Sequence, residues 1–562
     1  MYKERIDAMT IGTKKVLENK INRGKAFLEK LEKSSLNAYK ENENLLFRLL
    51  DENKDTEYGR KYNFGSIKTI EDYINTVPFT EYEDYECYIG RMLKGEENIL
   101  SARSTVHFAT SSASSGKIKY VPMCQEAENL FAAYTHGLCF AVMDNELGEK
   151  WKKGRGVSFT EVRFKPAENG ISIGAVSGKV RFQHKENENL VYTTPQCISY
   201  PEDKMNFRYL HLLFALMEED LSFITCTFMN AMADAMRYLQ ENWQMFINDI
   251  KTGTINNSIL IPQDIKEEIS SLIKPMPERA AFLKAEFEKG FEGIMERIWP
   301  NLQFVFGIGG GSFKVHTEKA KYYLGNIRVH YSIYSASEGI FAAPVSSETE
   351  DMLLLPFSAF FEFRDTNSEE NKTVTLDKVE AGHDYEIIIT NLSGLYRYRI
   401  KDVVRVTGFF NSLPKIQFLY RLNQLINIAG EKTNDNCMND VMKFASQECG
   451  LGITEYSVYA DTDTSPGRYV IFAECYDGQE NLSAEQVAKV IEKYLCKFNP
   501  SYKDKIINHK LSPLKFHYLK ANTYETYRDL VSDQGVSPNQ LKPVRLIDNS
   551  FKKDFFFSMT EK

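Results

Sequence analysis

Apolar and polar positions along the chain divide it into three stretches of different character. In the first hundred residues, "VLENKINRGKAFLEKLEK" and "NENLLFRLLDEN" place apolar residues at helical spacing on charged segments. That spacing predicts amphipathic helices packed on their own domain. "TVHFAT" (105–110) is predicted as a buried strand, and "EAENLFAAYTHGLCFAVMD" (126–144) as a helix a little downstream. The segment from Leu210 to Ile250 reads as one long helical stretch whose Met and Phe residues are core. Short strands follow in "NLQFVFGIGGG" and "IRVHYSIYSASEGIFA", with two more in "DYEIIITNLSGLYRYRIKDVVRVTGFF", on either side of Ser393-Gly394. Strands alternating with helices predict an α/β large domain.

Near Pro414 the pattern changes. "YSVYADTDTSPGRYVIFAEC" reads as two alternating strands across a D-T-S-P-G turn, followed by the helical "SAEQVAKVIEKYLCKF". This predicts a smaller α+β C-terminal domain. The expected division is a large N-terminal domain of mixed sheets and helices, 1–420, and a small domain, 421–562, with the boundary within a few residues of Arg421.

A chain of 562 residues is too long for a single hydrophobic core, and 43% hydrophobic with 26% charged residues is ordinary globular composition. A net charge of −8 argues against a nucleic-acid binder with a broad basic surface. The nine cysteines are scattered singly, without a C-x-x-C, so a reduced protein without a zinc site is expected. The N-terminus has no apolar h-region and no run of 18 apolar residues occurs, so a cytoplasmic enzyme without membrane association is expected.

Four stretches hold candidate chemistry. "FATSSASSGKIKYVP" (108–122) fails as a Walker loop, because Ser111 stands in place of the first glycine and Ile118 in place of the magnesium-binding hydroxyl. Its serines, glycine and lysines can still hold an anion through O–H donors and exposed amides, or form a plain surface turn. Tyr334-Ser335-Ala336-Ser337-Glu338-Gly339 offers a ring for a purine face and a carboxylate for Mg²⁺. Asp402, next to the apolar Val403-Val404, can accept hydrogen bonds from ribose hydroxyls or pair with Arg397 or Arg399. Lys432, in "GEKT", can reach a cleft from the small domain.

The order of these stretches is that of the luciferase-like adenylating enzymes. "GHDYEIIITNLSGLYRYRIKDVVRVTGF", "YSASEG", "FLYRLNQLINIAGEKT" and the "LHLLFAL…ENWQMFINDIKTG" helices closely resemble the Gretchen Hagen family of acyl-acid amido synthetases, auxin-responsive plant enzymes with bacterial members. The resemblance spans nearly the whole chain, and a bacterial member is expected. It implies an ATP- and Mg²⁺-dependent ligase that activates a carboxylic acid as an acyl-adenylate and transfers it to an amine, most simply an amino acid. By the same resemblance Ser111, Ser112, Ser114, Ser115, Gly116 and Lys119 surround the ATP phosphates. Tyr334 and Ser335 border the nucleotide, Glu338 holds Mg²⁺, Asp402 the ribose, Arg421 lies at the hinge of a mobile C-terminal domain, and Lys432 approaches the α-phosphate. Gly309 and Gly310 border the acid pocket. Ala113 and Lys401 replace glycines usual in the family. An acyl-CoA ligase and a non-catalytic nucleotide-binding module remain alternatives at this point, although "NQLKP" near the C-terminus again resembles the amido synthetases.

Overall fold

The structure, a computed structural model, describes residues 2–561 apart from 112–117, 161, 184, 201–204, 310–313, 332, 367–371, 423–424, 477–481 and 534–541. The chain falls into two compact units. The first comprises Met1–Ser111, Tyr120–Ile400 and Arg405–Gln417; the second contains Lys401–Val404 and Phe418–Lys562.

Among the described residues, the first unit is built on three sheets. One is wholly parallel, in the order 156–158, 223–228, 304–308, 328–331. Apolar runs buried on both faces suit such a sheet, and Phe223, Ile224, Phe304 and Val305 are all within 1% of full burial. The second sheet orders its strands 119–124, 105–111, 172–174, 164–166. The third has eight strands, including 334–336, 339–344, 359–365, 384–391 and the long strand Tyr398–Phe410. Helices pack around the parallel sheet, and their Leu, Met, Ile and Phe side chains, with Trp299, form one of the core clusters.

The stretch from Leu210 to Ile250 is not one helix. Helix Phe207–Met217 gives way to strand Phe223–Phe228, which leads directly into helix Met229–Thr252. "FITCTF" lies inside the parallel sheet with its first four residues buried, and six residues between two longer apolar helical segments are too few to stand apart from them. The segment 126–144 is helical, with a π-helical turn at Ala133–Gly137. There Gly24 of the first helix meets the wider turn so closely that a Cβ on Gly24 would lie 2.0 Å from the carbonyl of Gly137.

The N-terminal helices are tied to the eight-stranded sheet by buried polar bonds. Thr80 and Tyr398 form a parallel bridge, the Thr80 amide donating to Arg397 O and Arg399 N donating to Thr80 O. The Arg397 guanidinium, almost fully buried, donates to the Glu362 carboxylate at 2.9–3.2 Å and to the carbonyls of Ile74 and Val77 at 2.7 and 2.8 Å, and its carbon sits 4.2 Å from the Phe79 ring centroid. These bonds satisfy a charge that would otherwise be costly to bury.

The second unit has the sheet order 515–519, 468–475, 453–461, 546–547, with 453–461 and 468–475 antiparallel and the outer pairs parallel. Helices Asp435–Cys449 and Ala484–Phe498 accompany it, the latter opened by a capping box of Ser483 and Gln486.

Candidate functional site

Three strands of the first unit converge on Glu338. The hairpin of Tyr334–Ala336 and Gly339–Pro344 turns through Ser337-Glu338. Ser337 Oγ donates to the carbonyl of Thr110 at 3.1 Å, fixing the turn to the end of strand Thr105–Ser111. Asn391 Nδ2 donates to the Glu338 carbonyl at 2.7 Å, while Asn391 Oδ1 accepts from the amides of Ser393 and Leu395. Tyr398 Oη donates to Glu338 Oε1 at 3.1 Å. The Glu338 carboxylate is half-buried and pairs with no cation among the described residues. Tyr334 is 7% exposed, its ring centroid 5.5 Å from that of Phe341, and Ser335 is half-buried beside it.

Gly307 and Gly309, at the end of strand Phe304–Ile308, are close-packed. A Cβ on Gly307 would come 2.6 Å from Cys226 Sγ. On Gly309 it would meet Thr317 Oγ1 at 2.5 Å, Tyr331 Cε1 at 2.9 Å and Met229 Cγ at 3.0 Å. Glycine is therefore demanded by space at Gly309, which lies beside the N-terminus of helix Met229–Thr252 at the carboxyl ends of parallel strands. That is where open α/β sheets bind ligands.

Within the second unit, Asp402 and Arg421 face each other. Arg421 Nε and Nη2 donate to Asp402 Oδ1 and Oδ2 at 2.5 and 3.1 Å, a bidentate pair with Asp402 2% exposed. Neither arginine expected from the sequence takes that role: Arg397 pairs with Glu362, and Arg399 with Glu386 and Glu81. Lys401 lies at φ +66°. A left-handed position is one that glycine fills without steric cost, so the departure from the family pattern here places backbone strain directly before Asp402.

The loop bearing Lys432 is closed on itself. Ile426 and Thr433 exchange backbone bonds of 2.9 Å in each direction. Inside it, the buried Glu431 carboxylate accepts from the amides of Ile428 and Ala429 and from Tyr469 Oη, all at 2.7 Å. Asn499 Nδ2 ties the Glu431 carbonyl and Thr433 Oγ1 to the same network. Lys432, exposed at φ +48°, sits at the tip, and its ammonium has no partner among the described residues.

Ser112, Ser114, Ser115, Gly116 and Gly310 lie outside the described residues, as does the side chain of Ser111. Lys119, half-buried, opens strand Lys119–Cys124. Sequence reasoning missed Tyr398, Asn391 and Glu431. Tyr398 and Asn391 stand in the motif used to recognise the family, and Glu431 in "GEKT", so the signal was present but carried no role. No group of three or more His, Cys, Asp or Glu residues suited to a metal ion occurs among the described residues, and no helix there is long and apolar enough to cross a membrane.

Three family models match in succession: the GH3 family N-terminal domain over residues 27–329, its central domain over 352–421 and its C-terminal domain over 436–550. The chain belongs to the GH3 family. It is 31% identical over 546 residues to an indole-3-acetic acid-amido synthetase, GH3.4, of Arabidopsis thaliana, covering 92% of this chain and 91% of the relative. It is 30% identical to a probable indole-3-acetic acid-amido synthetase, GH3.1, of the same plant, covering 92% and 90%. The solved GH3.15 acyl acid amido synthetase shares the fold, with a TM-score of 0.85 over 96% of both chains at 23% identity. A 2-hydroxyisobutyryl-CoA ligase in its postadenylation state aligns more loosely, with a TM-score of 0.51 at 12% identity, over 96% of this chain and 91% of the ligase. As a GH3 protein the chain is an amido synthetase, an AMP-forming ligase that makes a carbon–nitrogen bond, with the large N-terminal and smaller C-terminal domains of that fold.

Proposed function

We propose that this GH3 protein condenses a small carboxylic acid with an amino acid, using ATP·Mg²⁺. The match of all three family domains along one chain supports this most directly. The relatives' names suggest an indolyl or aryl acid as first substrate to try. In the first half-reaction the acid's carboxylate oxygen attacks the α-phosphorus of ATP, and pyrophosphate leaves. In the second, the free amine attacks the acyl carbon and AMP leaves, the amine's proton passing to solvent or to a base. Asp402 accepts hydrogen bonds from the ribose hydroxyls, Tyr334 and Ser335 border the nucleotide, and the serine-rich segment with Lys119 holds the phosphates. Lys432 supplies a cation to the α-phosphate, which gains negative charge as the bond forms. The two compact units move about a hinge near Arg421 between the half-reactions.

Magnesium, when bound, offsets phosphate charge. Glu338 fits the role of its protein ligand. The carboxylate has one oxygen hydrogen-bonded by Tyr398 and pairs with no described cation, and Mg²⁺ asks for only one or two carboxylates beside substrate oxygens. The test is acid-dependent ATP–pyrophosphate exchange over a panel of aryl, indolyl and fatty acids. Each of the twenty amino acids, or coenzyme A, is then added and products are followed by mass. An N-acyl amino acid is expected as dominant product. Thioester formed faster than amide would overturn the choice of acceptor, and nucleotide binding without exchange would overturn the proposal.

A further inference from the structure

We propose that Tyr398 is a positioning residue for the Glu338 carboxylate, setting which of its oxygens is offered to the divalent cation. This rests on Glu338 as the metal ligand proposed above. Glu338 occupies the turn of a short hairpin, where a glutamate's three side-chain torsions are free unless something restrains them. Its backbone is restrained twice, by Ser337 Oγ on Thr110 O and by Asn391 Nδ2 on Glu338 O. Its side chain is held by the Tyr398 hydroxyl on Oε1. Tyr398 is itself rigid: it is 4% exposed, its backbone is bridged to Thr80, and its ring packs 6.1 Å from that of Tyr85. A fixed phenol thus addresses one carboxylate oxygen of a half-buried residue, leaving Oε2 for a hard cation.

The arrangement separates two roles of Tyr398. The ring belongs to the packing around Tyr85, and Tyr398→Phe preserves it. The hydroxyl contributes an O–H donor to the Glu338 carboxylate, and Tyr398→Phe removes that bond. Groups that orient a metal-binding side chain typically alter metal affinity by 10–100-fold when removed. The alternative is that the phenol merely satisfies its own hydrogen-bonding need, in which case the metal would be indifferent to its loss.

The experiment measures Mn²⁺ binding by electron paramagnetic resonance on the full chain saturated with a non-hydrolysable ATP analogue, for four proteins: unaltered, Tyr398→Phe, Glu338→Gln and the double variant. Melting curves and metal-free analogue affinity are recorded for each. Tyr398→Phe is expected to weaken Mn²⁺ binding about tenfold or more, with melting temperature and metal-free affinity unchanged. In the Glu338→Gln background it should add nothing, because the two residues act through one contact. Excess Mg²⁺ should restore turnover in Tyr398→Phe. Equal effects in both backgrounds, or none in either, would overturn the positioning role. Unchanged Mn²⁺ binding in Glu338→Gln would instead overturn Glu338 as metal ligand, which is a separate failure. If Tyr398→Phe lowers the melting temperature, the double-variant comparison still decides, since both members share that loss.

Discussion

Removing either member of the Asp402–Arg421 pair should have unequal consequences. Asp402 is 2% exposed, whereas the Arg421 side chain retains 23% exposure. In Arg421→Ala a buried carboxylate loses its charged partner, and breaking a buried pair from that side costs about 3 kcal/mol or more. In Asp402→Asn the guanidinium keeps access to water, and the charged hydrogen bonds lost are worth about 1.5–3 kcal/mol before that rehydration offsets part of them. Stability should therefore fall further in Arg421→Ala. ATP affinity should behave the other way round. If Asp402 serves the ribose hydroxyls, Asp402→Asn weakens ATP at least tenfold by titration calorimetry, and Arg421→Ala, which keeps the acceptor, weakens it less. The choice of probe matters, because all three tryptophans, Trp151, Trp243 and Trp299, lie in the first compact unit. Unfolding should thus be followed by amide hydrogen exchange in the second unit, with circular dichroism alongside. Equal destabilisation by the two changes together with unchanged ATP affinity in Asp402→Asn would show that Asp402 is a structural partner and not the ribose acceptor.

Lys401→Gly should raise stability by between nothing and about 1.5 kcal/mol in urea titration: it relieves a left-handed backbone worth about 1–2 kcal/mol, while glycine's freer unfolded chain takes back about 0.5–1 kcal/mol. A loss above about 1 kcal/mol would mean that the lysine side chain outweighs the strain. Glu431→Gln sets a side-chain NH₂ among three donors and should cost about 2–4 kcal/mol, measured by melting, and Lys432→Ala should leave the fold within about 0.5 kcal/mol while slowing pyrophosphate exchange. A Lys432→Ala protein with normal exchange would remove that lysine from the site. His330, stacked on Phe306 with neither ring nitrogen hydrogen-bonded among the described residues, has its pKa lowered by burial to about 4. Its unfolded form takes up a proton below pH 6.5 and its folded form only near 4, so stability falls as pH drops through that window; His330→Phe should recover about 2 kcal/mol at pH 5 and almost nothing from this source at pH 7.5. Equal gains at both pH values would mean that packing, and not proton uptake, limits the native protein.

What could be read in advance follows from how local each signal is. The amphipathic N-terminal helices and the hairpin of 453–461 with 468–475 announce themselves by period. Strand 223–228 does not, because its six residues are enclosed by longer helical segments on both sides. Asp402 stands out in the sequence, but the partners that the sequence offers are Arg397 and Arg399, close along the chain. The partner, Arg421, comes from the neighbouring strand of the eight-stranded sheet, 19 residues on. Glu338 stands out likewise and Tyr398 does not, since 60 residues separate them and only the fold brings them together.

The polar knot of Thr80, Glu362 and Arg397 has a consequence for the order in which the protein can be made. Thr80 Oγ1 donates to Tyr396 O across 316 residues, and Arg397 reaches back 320 residues or more to Val77 and Ile74. At ordinary translation rates of about 5–20 residues per second, the first helices wait on the order of half a minute at the ribosome before these partners emerge. During that interval the apolar face bearing Tyr58, Tyr73 and Tyr85, each at most 2% exposed once folded, lacks its cover. Nascent chains stalled before residue 397 should then be the species that chaperones hold and proteases cut, with resistance appearing abruptly once Arg397 has cleared the exit tunnel.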